Sequence, residues 1–130
     1  MNVAIVGSRT WTDAAAIHRV IDRLVEEHAG LTIVSGAASG ADRIAAAYAR
    51  LKAVPVIEHP ADWKRHGRTA GAIRNHAIVA DADIVIAFWD GVSPGTRITL
   101  DLARRKGIAA RIVGSNGEET IFGASGRTGP

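Results

Sequence analysis

Three short segments rich in glycine, serine and threonine contain the residues of this sequence that are best suited to holding an anion. Glycine lets a backbone approach a ligand closely, hydroxyl groups donate hydrogen bonds, and arginine offers a planar fork of donors that matches phosphate. The binding candidates in these segments are Gly7, Ser8, Arg9, Ser35, Gly36, Gly40, Asp42, Asp90, Gly91, Ser93, Gly95 and Thr96. Together they indicate a ligand that carries phosphate.

The second and third segments, Ser35–Asp42 and Asp90–Thr96, each stand between an apolar run and a stretch with helical periodicity. Unpaired backbone N–H groups at the start of a helix carry partial positive charge and bind anions. Neither segment matches the G-x-G-x-x-G dinucleotide motif or a Walker A loop. We therefore expect two small-residue turns that share one phosphate, with Asp42 either bonding a ribose hydroxyl or capping its helix.

Four further candidates lie outside the glycine-rich segments. Asp62 and Trp63 follow the third apolar run, and Arg74 and Asn75 come shortly before the fourth. Arg74 could clamp a phosphate and Asn75 could read a ribose or base, although a solvated helix face is the alternative for both. The three tryptophans all lie just beyond predicted strand ends: Trp11, Trp63 and Trp89. An indole there can stack on a base, and we expect one of the three to touch the ligand.

Neither a metal nor a cofactor is predicted. The sequence has no cysteine, and its five histidines include no pair at i, i+4 spacing. It also lacks the G-x-S-x-G turn of serine hydrolases, which leaves Ser35 and Ser93 without support as nucleophiles.

The elements that position these residues alternate between strand and helix. We predict strands at 2–7, 31–35, 54–58, 83–88 and 110–113, and helices at 13–28, 41–52, 69–80 and from the 90–95 loop to 106. Residues 59–68 are predicted as a polar loop. Nearly continuous apolar strands joined by helices indicate a parallel sheet covered on both faces. The expected fold is α/β: a single-domain, three-layer, Rossmann-like doubly wound sheet of about five strands, which binds ligands where the strand order reverses.

Length and composition bound the class of protein. The chain has 130 residues and a formal net charge of +3, so we expect one domain. Residues 1–113 are predicted as the nucleotide-binding domain and 114–130 as a flexible tail. The basic residues are dispersed, which favours a small anionic ligand over nucleic acid. No signal peptide or membrane-spanning run is evident, and the expected location is the cytoplasm.

Five motifs follow one another in a characteristic order. They are Gly7-Ser8-Arg9, then Ser35–Asp42, then Ala61-Asp62-Trp63, then Ala70-Gly71 with Arg74-Asn75, then Phe88–Gly91 with Ser93 and Gly95-Thr96. This ordered set resembles the YspA-like branch of the SLOG superfamily, which also contains the LOG-type phosphoribohydrolases and the DNA-processing protein DprA. The resemblance covers about residues 2–113. It implies a Rossmann-like fold, a nucleotide-type ligand and, by analogy with LOG-like relatives, a homo-oligomer such as a dimer.

The resemblance also raises the question of catalysis. LOG-type enzymes hydrolyse the N-glycosidic bond of a nucleoside monophosphate with an arginine and the glutamate of a P-G-G-x-G-T-x-x-E motif. Arg74 is similar in place to that arginine, whereas Thr99 stands where the glutamate would be. Threonine cannot supply the carboxylate of such a reaction. Arg74 with Asp62 or Asp90 are therefore the catalytic candidates.

Three functions remain open. The leading hypothesis is a sensor or sequestering module that binds a nucleoside monophosphate, ADP-ribose or an NAD-derived molecule at the carboxyl edge of the sheet. The second is a LOG-like hydrolase that uses the same pocket. The third is a DprA-like protein that binds single-stranded DNA.

Overall fold

The computed structural model describes residues 1–122, which form six strands and five α-helices. The strands are β1 (Asn2–Gly7), β2 (Thr32–Ser35), β3 (Val56–Glu58), β4 (Ile84–Phe88), β5 (Ala109–Val113) and β6 (Glu119–Ile121). The helices are α1 (Ala14–Glu27), α2 (Ala41–Leu51), α3 (Trp63–His66), α4 (Ala70–Asp81) and α5 (Pro94–Lys106), with a 3₁₀ turn at Gly67–Thr69. In this part of the chain, no helix is both long and apolar enough to cross a membrane.

The strands form one sheet in the order β3-β2-β1-β4-β5-β6. Strands β1 to β5 are parallel, and β6 runs antiparallel to β5. The chain first builds outward from β1 to β3 and then returns to add β4 on the other side of β1. This reversal confirms the doubly wound α/β fold. Strand β3 lies at the sheet edge, which is consistent with Pro55 just before it, because proline has no N–H to donate to a second neighbouring strand.

Helices cover both faces of the sheet. Successive residues of β1 point to opposite sides: Val3 and Ile5 pack with residues of α1 and α2, whereas Ala4 and Val6 pack with residues of α4 and α5. All four side chains are almost completely buried. The strand is apolar on both faces for this reason, and the fold has the three layers that the sequence predicts.

The sixth strand lies within the segment that the sequence analysis treats as a tail. A turn at Gly114–Gly117 reverses the chain, with the Gly117 N–H donating to the Gly114 carbonyl and Gly117 at φ +84°. Arg23 on α1 then holds Glu119 of β6 through two hydrogen bonds of 3.2 and 3.1 Å. All three β6 residues are exposed, so they show no apolar alternation, but the Asn-Gly pair at the turn is a recognised hairpin signal. Residues 123–130 of the predicted tail lie outside the described residues.

Candidate functional site

A cavity of about 440 Å³ opens at the carboxyl ends of β1 and β4, where the strand order reverses. We call it the main cavity. Ten of the predicted site residues line it: Gly7, Ser8, Arg9, Asp42, Arg74, Asn75, Asp90, Ser93, Gly95 and Thr96. The predicted loops therefore do converge on one place. Val6, Thr10, Ala38, Ile78, Pro94 and Thr99 complete its wall.

The N-terminus of α5 faces this cavity without a cap. Ser93 holds the capping position, but its hydroxyl donates to an Asp90 carboxylate oxygen at 2.8 Å instead of bonding the helix. No carboxylate lies in the first turn. Among the described residues, the N–H groups of Gly95 and Thr96 have no acceptor outside the helix. The helix thus presents donors and partial positive charge to the cavity.

The floor beside this helix end is buried and polar. Thr96 is 6% exposed, and within residues 1–122 its hydroxyl has no hydrogen-bond partner. Thr99, one turn further along, donates from Oγ1 to the Gly95 carbonyl at 3.3 Å. Ser8 accepts from the Asp90 N–H at 3.2 Å and joins the two strand ends across the cavity. Within residues 1–122 the one buried side-chain polar atom that lacks a hydrogen-bond partner is Asp101 Oδ1. The Thr96 hydroxyl is therefore open to the cavity, where it is free to bond a ligand.

Asp90 organises the loop that precedes α5. One carboxylate oxygen accepts from the N–H groups of Val92 and Ser93, at 2.9 and 2.8 Å. These hydrogen bonds favour the charged form and lower the pKa of Asp90. The carboxylate is exposed at the cavity mouth, so it could still accept from a hydroxyl. Gly91 lies in the same loop at φ +88° and does not line the cavity.

The turn before α2 uses its own amides and differs in this from the prediction. The Ala37 N–H donates to Ser35 Oγ at 3.2 Å, the Ala38 N–H donates to Asp42 Oδ2 at 3.3 Å, and the Ala41 N–H donates to the Ser8 carbonyl. Asp42 is not the N-cap of α2, which is Gly40. Its Oδ2 accepts the Ala38 N–H within the turn, while the residue still lines the main cavity, so a bond to a ribose hydroxyl stays a prediction. Of the two helices that follow these turns, α2 has a carboxylate in its first turn and α5 has none.

The glycines of this turn are required by packing. A Cβ on Gly36 would lie 2.8 Å from Asp42 Oδ2 and 2.9 Å from Arg74 Cδ. Gly40 has φ +76°, and a Cβ there would lie 2.4 Å from the carbonyl oxygens of Ser8 and Arg9. Gly36 therefore lets Asp42 and Arg74 pack against the turn, and Gly40 lets the first loop pack against it. Neither glycine is evidence for a ligand.

Asp42 is buried, with 4% of its surface exposed. Burial raises its pKa to about 6, against the opposing effects of the Ala38 N–H and the Arg74 charge. The carboxyl group therefore changes charge close to neutral pH within a cavity that otherwise favours anions.

Arg74 is fixed in the cavity wall by two hydrogen bonds. Its Nη1 donates to the Gly36 carbonyl at 2.8 Å, and its Nε donates to the Asn75 side-chain oxygen at 2.9 Å. Burial lowers its pKa, and the nearby charge of Asp42 opposes this effect. Asn75 is 8% exposed, and its amide nitrogen remains a donor toward the cavity. Both residues line the main cavity from α4, which corresponds to the helix predicted at 69–80.

The three tryptophans have different roles. Trp11 is buried against Phe88, with ring centroids 5.4 Å apart, and its indole N–H donates to the Asp13 carbonyl. Trp89 donates to the Ser93 carbonyl at 3.0 Å and packs beneath α5. Trp63 is 53% exposed and lines a second hollow beside the main cavity. Only Trp63 is placed to stack on a ligand.

Asp62 lies outside the main cavity. Its carboxylate accepts from the Arg65 N–H at 3.1 Å and caps the short helix α3, which the sequence analysis treats as part of a loop. It lines a separate shallow hollow near His59 and His66. Within residues 1–122, no group of three or more His, Asp or Glu side chains is placed to hold a metal ion.

Comparison with known proteins connects this geometry to a family. The profile described as "YspA, cpYpsA-related SLOG family" matches residues 1–66. The chain is 40% identical over 114 residues to the gene 61 protein of Mycobacterium phage D29, an alignment that covers 82% of this chain and 90% of that protein.

Two solved structures of DNA processing protein A (DprA) have a similar fold. The Streptococcus pneumoniae protein aligns with a TM-score of 0.71 and 26% identity, over 85% of this chain and 49% of that one. The Helicobacter pylori protein aligns with a TM-score of 0.67 and 22% identity, over 86% of this chain and 64% of that one. The second was solved to describe how that protein binds single-stranded DNA. This chain therefore spans less than two thirds of either DprA chain.

Proposed function

Because this chain belongs to the YspA, cpYpsA-related SLOG family, we propose that it binds a nucleotide or a nucleotide-derived molecule in the main cavity. One observation carries the proposal: the uncapped N-terminus of α5 and the unpaired hydroxyl of Thr96, a residue that is 6% exposed, face the same space. A phosphate there accepts hydrogen bonds from the Gly95 and Thr96 N–H groups and from the hydroxyl, and it meets the positive end of the helix dipole.

The rest of the cavity suits a sugar attached to that phosphate. At about 440 Å³ the cavity is within the range of pockets for small organic ligands. The Asn75 amide nitrogen offers a donor, and the Asp90 carboxylate offers an acceptor for a hydroxyl group. Arg9 and Arg74 contribute positive charge, and no ion pair within residues 1–122 neutralises Arg9.

The contacts favour binding over hydrolysis. Thr99 is 2% exposed on the cavity wall and has no carboxylate to stabilise a sugar cation. The two carboxylates that line the cavity, on Asp42 and Asp90, each accept hydrogen bonds from their own loop. We therefore propose a sensor or sequestering module. The cytoplasmic location and the dimer expected from the resemblance stay predictions.

The test compares the threonine hydroxyl at the main cavity with a threonine hydroxyl far from it. AMP, ADP-ribose and NAD are titrated into the wild type and into Thr96→Val by calorimetry, with Thr32→Val at the opposite end of the sheet as the matched control. Loss of a hydrogen bond to a charged phosphate should weaken binding roughly tenfold or more, and Thr32→Val should bind like the wild type. Equal affinities of Thr96→Val and the wild type, or no binding of any of the three, would reject the proposal. Release of free base or ribose phosphate would support the hydrolase instead.

A second candidate is binding of single-stranded DNA, favoured by the rim of the site. The segment after β3 carries the exposed Trp63 together with three cations: Lys64, Arg65 and Arg68. Aromatic and basic side chains together are typical of single-strand binding, and the fold is similar to that of DprA. This function predicts that a 20-nucleotide strand binds far more tightly than AMP and that its affinity falls steeply with salt. Equal affinity for the strand and for AMP at 50 and 200 mM salt would reject it.

A further inference from the structure

The second hollow, which we call the Trp63 hollow, is not explained by a phosphate at α5. It has a volume of about 260 Å³ and is lined by Trp63, Arg9, Arg43, Arg74, the 36–39 turn and the Pro60-Ala61 pair. Its lining includes three guanidinium groups and no carboxylate. A surface of this composition attracts an anion that also has a flat apolar face.

Trp63 is held beside Arg74 without being buried. Its Cη2 atom lies 3.5 Å, and the Arg74 Nη2 atom 4.0 Å, from the point that a Cβ on Gly71 would occupy. One edge of the indole therefore rests over Gly71 of α4, at a distance that a Cβ there would tolerate as an ordinary van der Waals contact. Helix α3 buries none of its residues, so packing does not account for an indole at this position. An exposed large aromatic side chain in a concave setting is typical of a binding surface.

The two hollows are adjacent. Arg9, Ala38 and Arg74 line both, so these residues form the boundary that a ligand occupying both hollows would cross. Arg43 borders the Trp63 hollow but not the main cavity. A single phosphate on α5 therefore cannot also neutralise Arg43.

We propose that the Trp63 hollow is a second subsite and that the ligand is a dinucleotide-type molecule, with two phosphate groups and an aromatic base that stacks on Trp63. This inference rests on the proposed function, because the first phosphate occupies the N-terminus of α5. The second phosphate lies among Arg9, Arg43 and Arg74. The base contacts the exposed face of the indole.

The charges around the site favour a short ligand over a long strand. The hollow on the other side of the main cavity is lined by Asp13 and Asp90 and by no cation. The hydrogen bonds that lower the pKa of Asp90 keep it negative at neutral pH. A polyanion that continued past α5 in that direction would meet two carboxylates. The cationic path therefore begins at α5 and extends only toward Trp63.

The experiment compares one-phosphate and two-phosphate ligands. AMP, ADP-ribose, the 5′-phosphorylated dinucleotide pApA and a 20-nucleotide oligothymidylate are titrated into the wild type, Trp63→Ala and Trp63→Phe. ADP-ribose or pApA should bind the wild type at least tenfold more tightly than AMP. Trp63→Ala should lose roughly 5- to 100-fold of that affinity, the range for stacking of one base, and Trp63→Phe should retain most of it. Unchanged unfolding midpoints in urea show that both variants are folded.

The contribution of positive charge in the Trp63 hollow is tested separately with Arg43→Ala. Arg19→Ala, which removes an exposed cation from α1, is the matched control. Arg43→Ala should weaken the two-phosphate ligand by severalfold and leave AMP unchanged, and Arg19→Ala should change neither. The inference is overturned if AMP binds as tightly as both two-phosphate ligands, or if Trp63→Ala binds them like the wild type. Tighter, salt-sensitive binding of the oligothymidylate also overturns it, in favour of a strand. Binding of AMP that Thr96→Val weakens would leave the proposed function standing in each case.

Discussion

Replacing Asp42 by asparagine should remove a pH-dependent part of the stability of the fold. The carboxyl group is 4% exposed, and burial raises its pKa from 3.8 to about 6. An acid whose pKa is raised by folding holds more protons in the folded than in the unfolded chain between these values. The folded state therefore loses stability as the pH rises through this interval. At about 1.36 kcal/mol per pKa unit, the difference between 3.8 and about 6 corresponds to about 3 kcal/mol.

Urea unfolding at several values between pH 4 and 7.5 measures this contribution. Relative to Asp42→Asn, the wild type should become less stable by about 2 kcal/mol from the lower to the higher limit, because part of the total change lies below pH 4; most of the measured change falls below pH 6.5. Other ionisable groups affect both proteins alike and cancel in the difference. Glu26→Gln, an exposed change on α1, is the control for removing one carboxylate. The reasoning is refuted if the difference in the free energy of unfolding between the wild type and Asp42→Asn does not vary with pH. It is also refuted if the wild type gains stability relative to Asp42→Asn as the pH rises.

The same carboxyl group should couple anion binding to protonation. Sulfate keeps its double charge across this range, so it reports on the protein alone when it binds at α5. An anion in the main cavity makes ionisation of Asp42 less favourable, and binding should therefore take up protons. The affinity of the wild type for sulfate should fall from pH 5.5 to 7.5, and that of Asp42→Asn should stay nearly constant. Parallel curves for the two proteins would show that Asp42 does not sense the anion.

Three further substitutions test the contacts that position the helices and loops around the main cavity. Gly40→Ala places a Cβ against two carbonyl oxygens at φ +76° and should cost more than about 2 kcal/mol in urea unfolding, whereas Gly30→Ala, with open space around it, should stay within about 0.5 kcal/mol. Lys106 donates from Nζ to three carbonyls at the end of α4, at 2.7, 3.0 and 3.0 Å. Lys106→Met should cost about 1–3 kcal/mol, and the same change at the exposed Arg105 should cost much less. Asp90→Ala frees the two loop amides that its carboxylate holds, and their hydrogen exchange should accelerate while that of the β4 amides does not.

The order of elements could be predicted because each strand is buried on both faces. The run Val3–Val6 is apolar throughout, and no other local structure explains such a short run followed by a glycine. Parallel pairing then requires helical crossovers of one hand, whereas the strand order and the place where it reverses came from the structure. The hairpin to β6 was missed because a strand exposed at every position lacks this signal. The Asn116-Gly117 pair was the available sign.

The sequence predicted where the site lies, but not which backbone N–H groups in it are free to bind a ligand. Sequence spacing placed the glycine turns at the same edge of the sheet, as the lining of the main cavity requires. It could not show which amides the protein uses itself, because that depends on contacts between distant segments. The Arg74 hydrogen bond to Gly36, across 38 positions, is one such contact. The burial of Trp11, the partial burial of Trp89 and the exposure of Trp63 depend on packing in the same way.

The two helix ends differ in whether a carboxylate lies in the first turn of the helix. Helix α2 carries Asp42 in its first turn, and this carboxylate accepts the loop amide of Ala38. Helix α5 begins with Pro94 and has no carboxylate in its first turn, while the capping hydroxyl of Ser93 is held by Asp90. A helix end that has its own anion repels a second, and one whose cap is held elsewhere retains its donors. Two glycine turns that look alike in sequence therefore differ in how well they can bind an anion. The difference depends on whether a carboxylate lies in the first turn of the helix that follows.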